Sequence, residues 1–387
     1  MNQQPPPSQD GPAGIVAIEG PQDGRPKWVS VILLAIILYV FLTSIDLISG
    51  SFKLMGKDYA AALFAYTSNP FSGLLTGVLA TSLVQSSSTV TSLIVGLVAG
   101  GTITIEQAVP MVMGANVGTS ITNTIVAMGH MTRSNEFQRA FAGATVHDFF
   151  NLMAVAVFLP LEIATGFLHK LATLLQGFLV GTEVGEFHSP IKAAIQPTSS
   201  FIKGAVTDLI DAKMVAAVIL LAIGVALLIF SLSFLVKLMK RLLMGQVEVM
   251  LHDYLFKHPM RGILVGTAIT ILVQSSSVTT SLTVPLLAAG IVTVEAIFPF
   301  VLGANVGTTI TALLASMATG NVAALTVAIC HVLFNVFGII LLYPFRAIPI
   351  RAATMLGALT LRSRFWALAY ILGVFFIIPI ALIAITR

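Results

Sequence analysis

Two polar runs of nearly identical sequence interrupt an otherwise apolar chain. The first is VQSSSTVTS, from Val84 to Ser92, and the second is VQSSSVTTS, from Val273 to Ser281. Their carboxamide and hydroxyl oxygens are hard, neutral ligands, suited to a sodium ion that must be bound and then released. Helical Ser and Thr can also bond back to the carbonyl four residues earlier, so one such run alone would be a weak indication. The repetition favours a polar site.

A second motif, GANVGT, begins at Gly114 and again at Gly303. Each copy contains an asparagine and continues into hydroxyls, and Pro110 and Pro299 lie upstream, where they weaken the helix. An unwound stretch of this kind would offer backbone N–H groups at a half-helix N-terminus, where an oxyanion is favoured. The alternative is close helix packing, because both glycine pairs form GxxxG patterns.

Asp148 is an ionisable residue within the apolar sequence ATVHDFFNLM. A charge inside a bilayer is costly, so such a residue is a functional candidate, although a structural pair with His147 or a neighbouring helix is the alternative. The second copy has Val332 at the corresponding position. This asymmetry favours one extra cation site over a requirement of the fold.

Transmembrane helices must position these groups. Of the 387 residues, 57% are hydrophobic and only 9% are charged, against about a quarter charged in soluble domains. The composition predicts an all-α polytopic membrane protein. The predicted spans cover residues 29–50, 104–128, 139–162, 213–236, 293–317, 322–344 and 366–386.

The segments 70–101 and 260–290 do not fit this pattern. Each has two apolar arms of about 12 to 14 residues around QSSS, too short to cross a hydrocarbon core of about 30 Å. We therefore predict two re-entrant hairpins, each with QSSS near its tip.

The chain contains two copies of one unit. An offset of 189 residues (274 − 85) relates both motifs, and 25 of the 40 positions from Leu83 to Thr122 are identical between the copies. Downstream, an offset of 184 (331 − 147) carries His147 and Asn151 to His331 and Asn335. These pairs have helical i, i+4 spacing and fit interhelical hydrogen bonds as well as ligands. If the Lys and Arg residues of the loops face the cytoplasm, the two copies have opposite orientations in the membrane. Inverted repeats that each contain a broken transmembrane helix are typical of secondary transporters.

Five regions follow from these patterns. We predict a disordered Pro- and Gly-rich tail over residues 1–28, a first repeat over 29–180, a polar inter-repeat loop over 181–212, a second repeat over 213–345, and a basic loop with a C-terminal transmembrane helix over 346–387.

The net charge of +4 is too small to indicate binding to nucleic acid. The sequence supplies no nucleophile elbow and no metal-ligand spacing, which argues against an enzyme.

With QSSS, GANVGTSITNT and FAGATVHDFFN in view, the chain resembles the type II sodium-dependent phosphate cotransporter family, in its bacterial, short-tailed form. The resemblance covers most of residues 30–345. It implies a multi-pass protein of the cell (plasma or inner) membrane whose inverted repeats enclose a site for inorganic phosphate, with sodium ions as coupling ions and no cofactor. Asp148 matches the aspartate that distinguishes electrogenic from electroneutral members of the family.

The motifs and the resemblance together predict two sets of site residues. The phosphate set is Gln85, Ser86, Ser87, Ser88, Asn116, Thr119, Ser275 and Asn305. The sodium set is Gln274, Ser275, Ser276, Ser277, Thr308, Thr309, Thr311, Ser87, Asn123 and Asp148. The expected function is electrogenic, sodium-driven uptake of dianionic phosphate by alternating access around a mid-membrane site. A sodium-coupled transporter of another oxyanion or of a carboxylate, and a non-transporting membrane scaffold or sensor, are the alternatives; the oligomeric state is left open.

Overall fold

The computed structural model describes residues 27–56, 67, 69–180, 187–254 and 258–386. All regular structure within these ranges is helical, which confirms the all-α prediction. The predicted N-terminal tail lies outside the described residues, apart from its last two positions.

Seven helices belong to the first copy and the segment that leads into it. They are α1 (Lys27–Met55), α2 (Pro70–Val84), α3 (Ser87–Ala99), α4 (Ile105–Gly118), α5 (Ile121–Met128), α6 (Ser134–Thr165) and α7 (Phe167–Val180).

The remaining helices connect the copies, form the second copy and end the chain. They are α8 (Pro190–Leu209), α9 (Lys213–Tyr254), α10 (Pro259–Val273), α11 (Ser276–Ser281), α12 (Thr283–Ala289), α13 (Val294–Thr319), α14 (Val322–Leu342), α15 (Ala347–Arg362), α16 (Phe365–Leu372) and α17 (Ile378–Thr386), with a 3₁₀ turn over Tyr343–Phe345 and a π-helical turn over Gly373–Ile377.

Six helical segments of the described chain are long and apolar enough to cross a membrane. They are α1, α6, α9, α13, α14 and the C-terminal run Phe365–Ile385, and they coincide with six of the seven predicted spans. The chain is thus an integral, multi-pass membrane protein. The seventh predicted span, 104–128, is divided between α4 and α5, and neither half is long enough to cross by itself.

Two predicted loops are helices. The inter-repeat region holds α8, whose N-terminus is capped by Ser189 ahead of Pro190, and whose Thr198 hydroxyl lies 2.6 Å from the Tyr39 hydroxyl of α1. The Ser-Pro pair is a helix-start signal, so this element was readable from the sequence. The predicted basic loop after residue 345 contains α15, which packs along α6.

The GANVGT glycines allow two helix pairs to approach closely. A Cβ atom at Gly114 would lie 1.9 Å from the Leu74 carbonyl oxygen of α2, and one at Gly303 would lie 2.0 Å from the Ile263 carbonyl oxygen of α10. Gly77 and Gly266 on the facing helices are equally tight. The packing alternative is therefore correct for these glycines, in both copies.

Gly303→Ala is expected to prevent stable folding, because the added methyl group meets a backbone carbonyl that cannot move aside. We expect a destabilisation of more than about 4 kcal/mol. Gly204→Ala is the matched control, because nothing lies within 4 Å of a Cβ at that helical position. The folded yield in detergent and the thermal unfolding midpoint test the pair, and equal midpoints would contradict the packing assignment.

The two copies pack reciprocally. Helix α7, which follows α6 in the first copy, packs against α14 of the second, and α15, which follows α14, packs against α6 of the first. Both hydrophobic cores draw residues from both copies, with Phe150 and Phe298 in one and Ile94 and Phe300 in the other. Reciprocal contacts of this kind are typical of a twofold arrangement.

Candidate functional site

Each QSSS run interrupts a helix, and the interruption lies at the glutamine in both copies. Gln85 caps the C-terminus of α2, with φ 55° and ψ 29°, and Gln274 caps that of α10, with φ 57° and ψ 25°. These are the only non-glycine residues with positive φ in the described chain. The two backbone N–H groups donate to the carbonyls of Thr81 and Thr270, at 2.7 Å each. The left-handed conformation is usually occupied by glycine, so a glutamine here carries a conformational cost.

The serine after each glutamine caps the N-terminus of the next helix. The Ser86 hydroxyl accepts from the Thr89 N–H at 3.2 Å, and the Ser275 hydroxyl accepts from the Val278 N–H at 3.4 Å. The first N–H groups of a helix have no acceptor within the helix, and the helix dipole is positive at its N-terminus. Because the Thr89 and Val90 N–H groups already bond to Ser86, the N–H groups of Ser87 and Ser88 at the start of the 13-residue helix α3 are the ones that could donate to an oxyanion. These donors come from QSSS, whereas GANVGT was predicted to supply them.

The two breaks contact each other and the GANVGT segment. The Ser88 hydroxyl donates to the Gln274 carbonyl at 3.1 Å, and the Ser277 hydroxyl donates to the Thr119 carbonyl at 3.3 Å. The Asn123 carboxamide donates to the Thr280 hydroxyl at 2.8 Å. All of these side chains are buried. The structure therefore brings predicted residues of both copies into one polar network.

The two glutamines differ in their surroundings. The Gln274 side chain is 8% exposed, and its carboxamide oxygen accepts from the Thr311 hydroxyl at 2.9 Å. Gln85 is exposed. The counterpart of Thr311 in the first copy is Thr122, whose buried hydroxyl has no partner among the described residues. The same pair is therefore formed in one copy and separated in the other.

The prediction that GANVGT unwinds is wrong for the second copy, and in the first copy the helix is interrupted only at the end of the motif, where α4 ends at Gly118 and α5 begins at Ile121. Helix α13 runs through the second copy without a break, and in the first copy Thr119 and Ser120 keep right-handed conformations, with the Thr119 N–H donating to the Asn116 carbonyl at 3.3 Å. Three hydroxyls bond back to their own helix: Thr119 to the Ala115 carbonyl, Thr308 to Ala304 and Thr309 to Val306. Their hydroxyl protons are satisfied locally, and each oxygen keeps a lone pair for a cation.

The GANVGT asparagines join the copies through histidines. His147 Nε2 donates to Asn305 Oδ1, and His331 Nε2 lies 3.4 Å from Asn116 Oδ1. Each histidine thus pairs with the asparagine of the other copy. Asn305 Nδ2 donates in turn to Asn151 Oδ1 at 2.9 Å, and Asn151 Nδ2 donates to the Asn116 carbonyl at 3.1 Å. These five side chains are buried and form a second network, here called the His–Asn network.

The His–Asn network includes residues that were left out of the predicted site. His147, Asn151 and His331 carried the signal of repeated i, i+4 spacing, which fitted a structural role equally well. Ser120 carried no separate signal, and its hydroxyl donates to His147 Nδ1. Because the Asn305 carboxamide oxygen can only accept, His147 Nε2 carries the ring proton, and Nδ1 accepts from Ser120.

Asp148 lies apart from the QSSS contacts. Its side chain is fully buried, Oδ2 accepts from the Tyr370 hydroxyl at 3.0 Å, and Oδ1 has no partner among the described residues. Its neighbour His147 belongs to the His–Asn network. In the described chain no group of three or more His, Cys, Asp or Glu side chains could hold a metal ion.

The remaining predicted residues occupy the two breaks. Ser87 and Ser276 are buried at the first helical position of α3 and α11. Ser86 and Ser275 are partly exposed caps. All the predicted positions can thus be placed, and hydrogen bonds between the copies link a part of them directly.

The fold and the site define a duplicated, multi-pass helical membrane protein with two polar helix breaks in contact. A family model described as Na+/Pi-cotransporter matches residues 40–180 and 227–361. The chain belongs to the Na+/Pi-cotransporter family.

Two relatives illustrate the similarity. Sodium-dependent phosphate transport protein 2A of Rattus norvegicus is 36% identical over an alignment of 426 residues, gaps included, which covers 91% of this chain and 67% of the relative. Sodium-dependent phosphate transport protein 2B of Homo sapiens is 35% identical over an alignment of 453 residues, which covers 92% of this chain and 65% of the relative. The chain thus spans about two thirds of the length of these relatives. No solved structure matches it significantly.

Proposed function

We propose that this protein is a secondary transporter of the cell membrane that couples inward sodium flow to the uptake of inorganic phosphate. The observation that carries the proposal is the contact between the two QSSS breaks, in which Ser88 donates to the Gln274 carbonyl. The family and the names of the relatives, which are sodium-dependent phosphate transport proteins, support it. In this proposal the copies are inverted, and each break is the tip of a re-entrant hairpin, because irregular backbone is tolerated at membrane depth where it lines a protein cavity.

Phosphate would bind at the break of the first copy. The N-terminus of α3 offers unbonded N–H groups, and Ser86, Ser87 and Ser88 add hydroxyls. Among the described residues, no Lys or Arg takes part in the hydrogen bonds that join the two copies at this site. The charge of dianionic phosphate would therefore be offset by sodium ions and by the helix dipole, which gives the coupling a physical reason.

Sodium would bind at the break of the second copy. The Gln274 carboxamide oxygen and the Thr311 hydroxyl lie 2.9 Å apart, and Ser276 and Ser277 begin α11 beside them. A sodium ion between these oxygens would replace the hydrogen bond that now joins them. Asp148 would contribute to a further cation site, because its Oδ1 is buried and unpartnered within the described chain.

Sodium and phosphate are expected to raise each other's affinity by the same factor, as thermodynamic linkage requires. The measurement is phosphate binding at increasing sodium, and sodium binding at increasing phosphate, followed by sodium-gradient-driven phosphate uptake in proteoliposomes of the pure protein. Phosphate binding that ignores sodium would refute the coupling. Stronger competition by sulfate, arsenate or succinate would assign another substrate, and binding without uptake would indicate a sensor or scaffold.

The difference between the two glutamines supports alternating access. The Gln274–Thr311 pair is formed, and the equivalent Gln85–Thr122 pair is separated. In the opposite-facing state we expect the two copies to exchange these conditions, so that the first pair opens and the second closes. Each pair would then stabilise one of the two states.

Thr311→Val and Thr122→Val are expected to shift this equilibrium in opposite directions. One hydrogen bond of about 1 kcal/mol corresponds to a population change of about fivefold. Reporter cysteines at Ser86 and Ser275, introduced after replacing the buried Cys330, would measure access to a thiol reagent at each break. Thr311→Val should raise labelling at position 275 and lower it at 86, and Thr122→Val should do the reverse. Changes of the same sign in both variants would be incompatible with the exchange.

A further inference from the structure

The C-terminal helix reaches the buried carboxylate of the first copy. The Tyr370 hydroxyl of α16 donates to Asp148 Oδ2 at 3.0 Å, across 222 positions of the chain. Helix α16 lies beyond residue 361, where the match to the family ends. The contact therefore joins the repeated unit to a segment outside it.

The Tyr370 ring is fixed by three aromatic neighbours. Its centroid lies 6.2 Å from that of Phe141, 5.9 Å from that of Phe149 and 6.1 Å from that of Phe375, with edge-on geometry at Phe141 and Phe375. Aromatic pairs at these distances stabilise a defined ring position. These contacts restrict the side-chain conformation of Tyr370 and keep its hydroxyl next to the Asp148 carboxylate.

A π-helical turn completes this arrangement. Tyr370 and Phe375 are five residues apart and would point about 140° away from each other in a regular α-helix. Over Gly373–Ile377 the helix widens, and the Ile378 N–H donates to the Gly373 carbonyl, an i→i+5 bond. Phe375 lies within this turn, and its ring packs edge-on against that of Tyr370. Such turns are frequent at functional sites.

The two carboxylate oxygens of Asp148 consequently have different roles. Oδ2 is held by Tyr370, whereas Oδ1 is buried and has no partner among the described residues. A buried acceptor without a partner is costly, and a bound cation would remove that cost. Fixing Oδ2 also fixes the direction of Oδ1, so a cation meets an oriented ligand.

We propose that Tyr370 is a positioning residue for sodium: it orients the Asp148 carboxylate so that Oδ1 binds the ion, and the C-terminal helix is thereby part of the transport unit. The inference rests on the proposed function. The neighbouring copy offers no equivalent, because Val332 stands where the first copy has Asp148. The site would therefore exist once per chain.

Tyr370→Phe tests the proposal, because it removes the hydroxyl and keeps the ring contacts. We expect the sodium concentration for half-maximal phosphate uptake to rise about 10- to 100-fold, the effect of one lost hydrogen bond to a charged group. The sodium-dependent rise in the thermal unfolding midpoint should weaken accordingly, while the midpoint without sodium stays close to that of the wild type. Tyr343→Phe is the matched control, because its ring packs against Phe298 and its hydroxyl does not bond to Asp148.

The double variant separates positioning from a general structural effect. In an Asp148→Gly background, Tyr370→Phe should cause no further change in sodium dependence, because the two residues act as one unit. Additive effects, or an unchanged sodium midpoint in Tyr370→Phe alone, would overturn the proposal. Failure of the wild type to take up phosphate on a sodium gradient would instead refute the proposed function, so the two failures are distinguishable.

Discussion

Asn305→Leu is expected to abolish sodium-driven phosphate uptake. Asn305 joins the copies by accepting from His147 and donating to Asn151. A leucine of similar size fills the space and leaves two buried polar atoms, His147 Nε2 and Asn151 Oδ1, without the hydrogen bonds that Asn305 supplied. Each unsatisfied group costs about 1 to 3 kcal/mol, so the native arrangement would lose about 2 to 6 kcal/mol. A loss of 2 kcal/mol alone lowers the population of that arrangement about 30-fold.

Asn335→Leu is the matched control for this variant. Asn335 is also a buried asparagine, but its carboxamide donates only to the His331 carbonyl of its own helix, and its Oδ1 has no partner in the described chain. We expect a change within about 1 kcal/mol and retained uptake. Uptake per folded molecule and the unfolding midpoint should be measured for both. Wild-type uptake by Asn305→Leu would show that the contact between the copies is dispensable.

Asp148→Gly is expected to transport phosphate without net charge movement. Asp148 is a fully buried carboxylate in the described chain with an unpartnered oxygen, and its counterpart in the second copy is Val332. Removing it should remove one cation site and leave the QSSS contacts in place. Each phosphate would then be accompanied by one positive charge fewer. The measurement is the charge moved per phosphate in proteoliposomes held at a fixed membrane potential.

Asp46→Asn controls for the loss of any intramembrane carboxylate. Asp46 lies on α1 and forms an ion pair with Lys203 of α8, so it has a partner within the protein. We expect this variant to keep the charge per phosphate of the wild type while losing stability, because Lys203 is left without its counterion. Equal charge ratios in Asp148→Gly and the wild type would refute the assigned role of Asp148.

Sequence patterns predicted the positions of the helix breaks but not their conformation. The polar QSSS run between two short apolar arms located the interruption, and α3 and α11 begin within it. The left-handed backbone at Gln85 and Gln274 was not predictable, because glycine normally marks that conformation and none is present here. Tertiary contacts around the break override the local preference.

The GANVGT motifs show a different limit. Both copies have the same six letters, yet only the first is followed by an interrupted helix. In the second copy Thr309 bonds back to Val306 of its own helix, whereas the equivalent Ser120 donates to His147 of α6. A local sequence cannot indicate which of the two partners a hydroxyl will choose. Likewise, the Tyr370–Asp148 bond spans most of the chain and has no local signal.

The exchange of partners in the His–Asn network bears on the origin of the chain. His147 pairs with the second copy, and His331 pairs with the first. A polypeptide with one copy would leave its own histidine and asparagine unmatched unless two identical molecules assembled about a twofold axis, each supplying the missing partner to the other. Gene duplication and fusion of such a dimer would yield the present connectivity. The two separately expressed halves of this chain should therefore restore uptake only together.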